Sequence, residues 1–317
     1  MAVTLAQAKL NVQTDLDSMV IDEFRKSSFL MDNITFHDCV SPTGGGSTLT
    51  YGYTRLVTQP TAAFRQINEE YTPAEVQKQR YNVDLKVFGG SFEVDRIIAG
   101  MGGIANEVTL QMQQKIKAAS ALFSDTVING NSTTDAKTFD GLDVALTGSS
   151  TEYNKSTAID LSTAAKVDEN YKQFVDMMDE FLMMLDGEPS FIAGNTKLIA
   201  KIRAIARRVG QYQITKNELG QEISMYGNIP LVDLGAKPGK NDPIVATNES
   251  GETSLYVARF GMDGFHAVSM AGQIPARTWM PDFSTAGAVK KGEVEMVAAV
   301  ALKATKAAGV FRKIKVQ

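Results

Sequence analysis

Cysteine is all but missing from this 317-residue chain: Cys39 stands alone, which excludes an internal disulfide and every Cys-rich zinc pattern. Histidine is nearly as scarce. With only His37 and His266, a histidine-based metal centre would have to draw both from distant segments. No apolar run approaches the roughly 18 residues of a membrane span, and mean hydropathy is -0.12, so no membrane partner is expected. Neither sign of charge dominates: 32 Lys and Arg stand against 36 Asp and Glu, and a net charge of -4 does not advertise a nucleic-acid binder. The opening residues, Ala2 to Asp15, lack the basic and apolar regions of a secretory signal. A cytoplasmic origin is therefore expected, and the sequons at Asn33, Asn131, Asn154 and Asn248 carry no weight.

What is present fits a globular chain of about two domains, 44% hydrophobic and 21% charged. Leu16, Val20 and Phe24 recur as one stripe of a short helix, and Ser41 to Ser47, with one proline and three glycines, interrupts any regular element. The N-terminal segment thus reads as an arm. Period-two alternation predicts strands at Leu49, Tyr51, Tyr53 and at Tyr81, Val83, Leu85, Val87. The charged stretch between them, Gln59 to Arg80 with Pro60 and Pro73, is too long to be an idle loop. A strand-like Phe92 to Ala99 follows, and Ile104, Val108, Met112, Ile116, Ala119, Phe123 and Val127 mark a helix of roughly 36 Å, stopped by Asn129-Gly130. Asn131 to Thr163, rich in small polar residues, reads as a domain junction.

The second half opens helix, strand, helix, which makes the chain α+β. A helix over 167–185 buries Tyr171, Phe174, Val175, Met178, Phe181, Leu182 and Leu185 and leaves an acidic face. From Asp160 to Glu188 eight acids meet two bases, whereas Lys197, Lys201, Arg203, Arg207, Arg208 and Lys216 face no acid between 197 and 216. Pro189 to Asn195 between them reads as a short buried strand. Further strands are expected near 229–233, 244–247, 254–260 and 266–269, and 294–316 reads as terminal strands interrupted at Gly309.

No residue constellation assembles an active site. Gly100-x-Gly102-x-x-Ala105 matches a dinucleotide fingerprint in its alanine variant, but the long helix behind it puts Asp125 where a second strand should end. Gly235 to Asn241 imitates a phosphate loop with one spacer missing and Asn in place of Ser or Thr, so it reads as a turn. His37, Asp38 and Cys39 are neighbours on an extended chain and point to alternate faces. Adjacent acids such as Glu69 with Glu70 and Asp179 with Glu180 read as solvated.

Tyr53-Thr54-Arg55-Leu56, Ala63-Phe64-Arg65, the run Val83 to Arg96, Asn129-Gly130 with Phe139-Asp140-Gly141-Leu142, Phe191 to Asn195 and Tyr226 to Val232 carry a resemblance in their order. Through them the chain resembles the major capsid proteins of tailed bacteriophages, with the Hong Kong 97 fold, from about residue 10 to the C-terminus. The resemblance implies an N-terminal arm (1–48), an extended β-hairpin loop (49–90), a peripheral domain with a spine helix (91–159), an apical domain (160–270) and C-terminal strands of the peripheral domain (271–317). It implies no enzyme activity and no cofactor, but a homo-oligomer of pentamers and hexamers in an icosahedral head, made in the host bacterial cytoplasm and enclosing double-stranded DNA by non-specific contact. A separate scaffolding protein, a portal and decoration proteins would be its partners. Arg55, Phe64, Arg65, Glu69, Glu70, Tyr71 and Arg80 would meet a neighbour through the loop, and Arg203, Arg207, Arg208 and Tyr212 through the apical domain. Lys78 and Lys86 lie in or beside the loop without the signature of an intersubunit cross-link. The alternatives are an encapsulin-like nanocompartment shell, which packages protein cargo on the same fold, and, remotely, a nucleotide-dependent enzyme using the Gly100 turn.

Overall fold

Leu30, Ile34 and Val40 are buried, so the chain is already docked by residue 30: α1 (Phe29–Asn33) leads into β1 (Phe36–Val40). The structure is a computed structural model that describes residues 29–41, 48–101, 107–210, 213–216, 222–272 and 276–317. The helix expected at Leu16 to Phe24, Gly102 and Ala105 of the fingerprint, and Tyr212 lie outside those residues. The alternating segments form an antiparallel hairpin, β2 (Thr50–Leu56) with β3 (Lys78–Asp84), in register from Thr50 opposite Asp84 to Leu56 opposite Lys78. The run 81–87 is not one strand. Leu85 is buried and donates its N–H to the Leu49 carbonyl at 2.8 Å, after which β4 (Lys86–Asp95) enters another sheet. Nor does that strand reach Ala99, because the Asp95 carboxylate caps the Ile97 N–H at 2.8 Å and starts α2 (Arg96–Gly100). Gly100 therefore ends a helix, where a dinucleotide fingerprint needs a strand running into the turn.

The spine helix is α3 (Glu107–Asn129). Val108, Met112 and Ala119 pack on Phe92, Val94, Val294 and Met296, while Phe123, Val127 and Ile128 enter the main core. Ile116, on the expected stripe, is 43% exposed. Gly130, just past the helix end, has no left-handed φ; it is required there because a Cβ would stand 2.2 Å from the Phe139 carbonyl oxygen. Residues 131–163 carry α4 (Leu142–Leu146), β5 (Glu152–Tyr153) and β6 (Ile159–Asp160), and they pass from one core to the other, Phe139 and Leu146 in the first, Tyr153 and Leu161 in the second.

Thr163 caps α5 (Ala164–Met183), β7 (Phe191–Gly194) is wholly buried, and Asn195 caps α6 (Thr196–Val209), which Gly210 ends at φ 76°. The basic segment 197–216 is thus a helix only to Val209, with Lys216 in β8 (Gln213–Lys216). β8 pairs with β9 (Glu222–Tyr226), which turns through Gly227 into β10 (Ile229–Val232). Residues 244–247 form no strand. The Asn129 and Asn195 amides donate to the Ile244 and Val245 carbonyls at 2.9 and 2.7 Å, which takes those groups out of sheet pairing. Gly235 to Asn241 is a turn, as expected.

The remaining strands are β11 (Glu252–Ala258), β12 (Phe265–Met270), β13 (Ala276–Trp279), β14 (Val289–Leu302) and β15 (Ala308–Lys315). The break between the last two falls at 303–307, and Gly309 lies inside β15. Among the described residues, one sheet runs β1-β12-β14-β13 with β4 also on β14, and an eight-stranded sheet runs β5-β15-β11-β7-β10-β9-β8 with β6 on β15. Phe174, Met178, Phe181, Ile202 and Ile205 of the two helices pack onto Ile192, Leu255 and Phe311 of the second sheet. The segment 160–270 contributes to both sheets, since β12 pairs with β14.

Candidate assembly surfaces

At its root the hairpin is fastened to the body. Tyr53 Oη donates to the Leu302 carbonyl at 2.9 Å, and Arg55 donates through Nε to the Lys303 carbonyl at 2.7 Å, through Nη1 to Thr305 Oγ1 at 3.3 Å and through Nη2 to Leu302. The Arg55 guanidinium also lies 4.4 Å from the Tyr81 ring centroid. Burial raises the Tyr53 phenol above its ordinary range, with Arg55 pulling the other way. Arg55 is therefore a root anchor within its own chain.

Beyond the root, none of the described residues packs on the hairpin. Every residue from Leu56 to Arg80 is exposed, including Phe64 at 106%, Ile67 at 90% and Tyr71 at 60%. Apolar side chains bared to this degree at the tip of a long excursion make it a candidate contact surface. The tip holds its own shape locally: Asn68 takes φ 73°, Arg65 donates to the Gln66 and Glu69 carbonyls at 3.2 Å and covers the Tyr71 ring at 5.3 Å, and Glu69 Oε2 accepts the Gln66 N–H at 3.3 Å. Glu70 is exposed beside it, and Arg80 donates to Asn82 Oδ1 at 3.2 Å. Ile67, Leu56 and Val57 escape a charge-based reading of the loop; an apolar residue in a polar, proline-flanked stretch was the available signal.

The second surface is formed by α5 and α6. Asp168, Glu169, Asp176, Asp179 and Glu180 are exposed on one, Arg203, Arg207 and Arg208 on the other. The segregated charges partly meet within the chain, Arg208 Nε donating to Asp168 Oδ1 at 2.6 Å. With 32% and 62% of these side chains exposed, the pair is worth about 0–1 kcal/mol. Asp179 accepts the Tyr226 hydroxyl at 2.7 Å, a contact that sequence gives no means of finding. Among the described residues no three His, Cys, Asp or Glu are grouped to hold a metal, and no helix is long and apolar enough to cross a membrane.

A docked N-terminal strand, a projecting hairpin, a spine helix and a helix-flanked sheet are together the Hong Kong 97-type capsid fold, and the chain has that fold. It is similar over 99% of its length to 97% of a subunit of the holo-SrpI encapsulin complex from Synechococcus elongatus PCC 7942, at TM-score 0.67 and 12% identity. It is also similar over its full length to all of a chain from Mycobacterium phage Bobi, at TM-score 0.64 and 11% identity. The capsid of the native GTA particle gives TM-score 0.63 at 10% identity, covering 99% of both chains. No family model matches the sequence, and no curated protein matches it.

Proposed function

We propose that this chain is the major capsid subunit of a tailed, double-stranded DNA bacteriophage, forming the pentamers and hexamers of an icosahedral head. The observation that carries the assembly part is the hairpin, whose Phe64, Ile67 and Tyr71 are bared on a segment with no core of its own. A neighbouring copy supplies the missing surface, with Arg65, Glu69, Glu70 and Arg80 around the apolar contact, and Arg203 and Arg207 serve a second contact between adjacent α5 and α6 layers. No enzyme activity is part of this reading. DNA would be enclosed by non-specific contact, with a separate scaffolding protein, a portal and decoration proteins completing the head in the host cytoplasm.

The encapsulin neighbour favours a second reading, a protein nanocompartment on the same fold. Electron microscopy of the expressed chain tests both, because each requires closed shells, and soluble monomers under all assembly conditions would defeat them together. Co-expression with its neighbouring genes then separates them. Nuclease-protected DNA in the particles supports the phage head, whereas a specific protein cargo and no DNA supports the compartment.

A further inference from the structure

The first sheet buries an imidazole that it does not satisfy. His266 in β12 is fully buried, and neither of its ring nitrogens has a hydrogen-bond partner. In the parallel pairing of β1 with β12, His37 stands opposite Val268, so His37 and His266 project from the same face. Their ring centroids are 5.9 Å apart, and His37 Nδ1 is likewise buried and unpartnered. Tyr51, at the root of the hairpin, closes the group edge-on against both rings at 5.6 and 5.9 Å. The fold thus brings together the two histidines that sequence leaves in distant segments.

Neutral imidazoles fit this place and charged ones do not. The Lys303 ammonium, just beyond β14, lies 5.6 Å from the Tyr51 centroid, and Arg55 of β2 adds a second cation nearby on Tyr53. Cys39 of β1 brings no charge. Asp38 is the acid whose field reaches His37, and its carboxylate already accepts the Gly272 N–H at 2.9 Å. Burial first, then Lys303 and His37, hold His266 down to about 4 against a weaker pull from the Gly264 backbone, and burial and Lys303 hold His37 below its ordinary value against a weaker pull from Asp38.

We propose that His37 and His266 form a proton-operated latch at the hairpin root: the neutral pair seats Tyr51, and protonation unseats it and loosens the hairpin from the sheet. Both groups titrate lower in the folded chain than in the unfolded one, near 6.5. The latch therefore holds fully above about pH 6.5 and is lost as pH falls toward 4.

Hydrogen exchange of β2 in the purified chain, corrected for intrinsic rates, tests this directly. An isolated two-stranded hairpin is marginal in water, so protection of β2 reports its seating. Expected is a tenfold or greater fall in β2 protection between pH 7.5 and 4.5, with β15 in the same molecules unchanged, and a flat response in the H37F/H266F variant. The chain has no other histidine, so a fall that persists in that variant overturns the latch. Should the variant not fold, the wild-type chain still decides. Equal β2 protection at both pH values, or imidazole proton resonances that titrate near 6.5, also overturns it.

Discussion

A Cβ at position 309 would stand 2.9 Å from the Phe181 ring and 3.0 Å from Leu185 Cδ2, so Gly309 is the space that lets α5 lie close on β15. Gly309→Ala should overpack this contact and cost about 1–3 kcal/mol in urea unfolding, with the fold retained. Arg312, in the same strand, is 19% exposed, pairs with Asp143 at 2.7 Å and with Glu152, and thereby ties β15 to α4 and β5. Tyr256 adds its hydroxyl to Asp143 at 2.8 Å, and burial followed by Asp143 pushes that phenol well above its ordinary range. Arg312→Met leaves Glu152, 14% exposed, without its counter-ion. Full burial would make that loss 3–5 kcal/mol, and the 39% exposure of Asp143 reduces it to about 2 kcal/mol. Arg312→Lys should fall between, since an ammonium cannot serve both carboxylates with a planar fork; the same unfolding series checks both variants.

Among the elements, the hairpin is where the proposed assembly role can be separated from stability. Its regular pairing runs out at Val57, whose N–H donates to the Gln77 carbonyl at 2.8 Å, and nothing from there to the tip touches either core. Replacing residues 59–75 by an Asn-Gly turn should change the unfolding free energy by less than about 1 kcal/mol, because such a turn suits a two-residue hairpin. The shortened chain should remain soluble and fail to form shells; normal particles would contradict the role given to the loop. The strands of this hairpin, the spine helix, α5 and β7 were legible because each carries an uninterrupted period of two or 3.6, or a short apolar run between turn residues. Leu85, Asp95 and the 303–307 break were not, since each is decided by a neighbour distant in the chain or by a single cap. The bared apolar tip was half-legible, its length and charge marking it while Ile67 passed unnoticed. Arg55 donates within its own chain to the carbonyls of residues 302 and 303, contacts that sequence separation hides.

For the whole molecule, the proposed assembly makes charge segregation between α5 and α6 matter more than the near-neutral total, because a ring of identical subunits reuses one contact at every edge. If the acidic layer of one copy faces the basic layer of the next, each subunit presents complementary charge on opposite sides, and the fields set register as well as attraction. Arg208 answers Asp168 in its own chain, and Arg203 and Arg207 stand one helical turn apart on one exposed face of α6, where a double reversal changes the field most. Reversing both to Glu should leave the monomer folded, since exposed charges contribute little to stability. Empty-shell assembly, followed by light scattering and microscopy without any DNA, should fall at least tenfold, and most at low salt, where the new repulsion is least screened. Adding Asp176→Arg, which restores opposite signs across the contact, should recover part of the yield. The competing assignment turns these cations inward to packaged DNA, where each neutralised phosphate steepens the salt dependence of binding. In that case the reversed variant would assemble empty shells normally and fail only at packaging. The intersubunit contact is the better reading, because shells must close before a genome enters and a chain carrying -4 overall does not build a cationic inner wall from two residues.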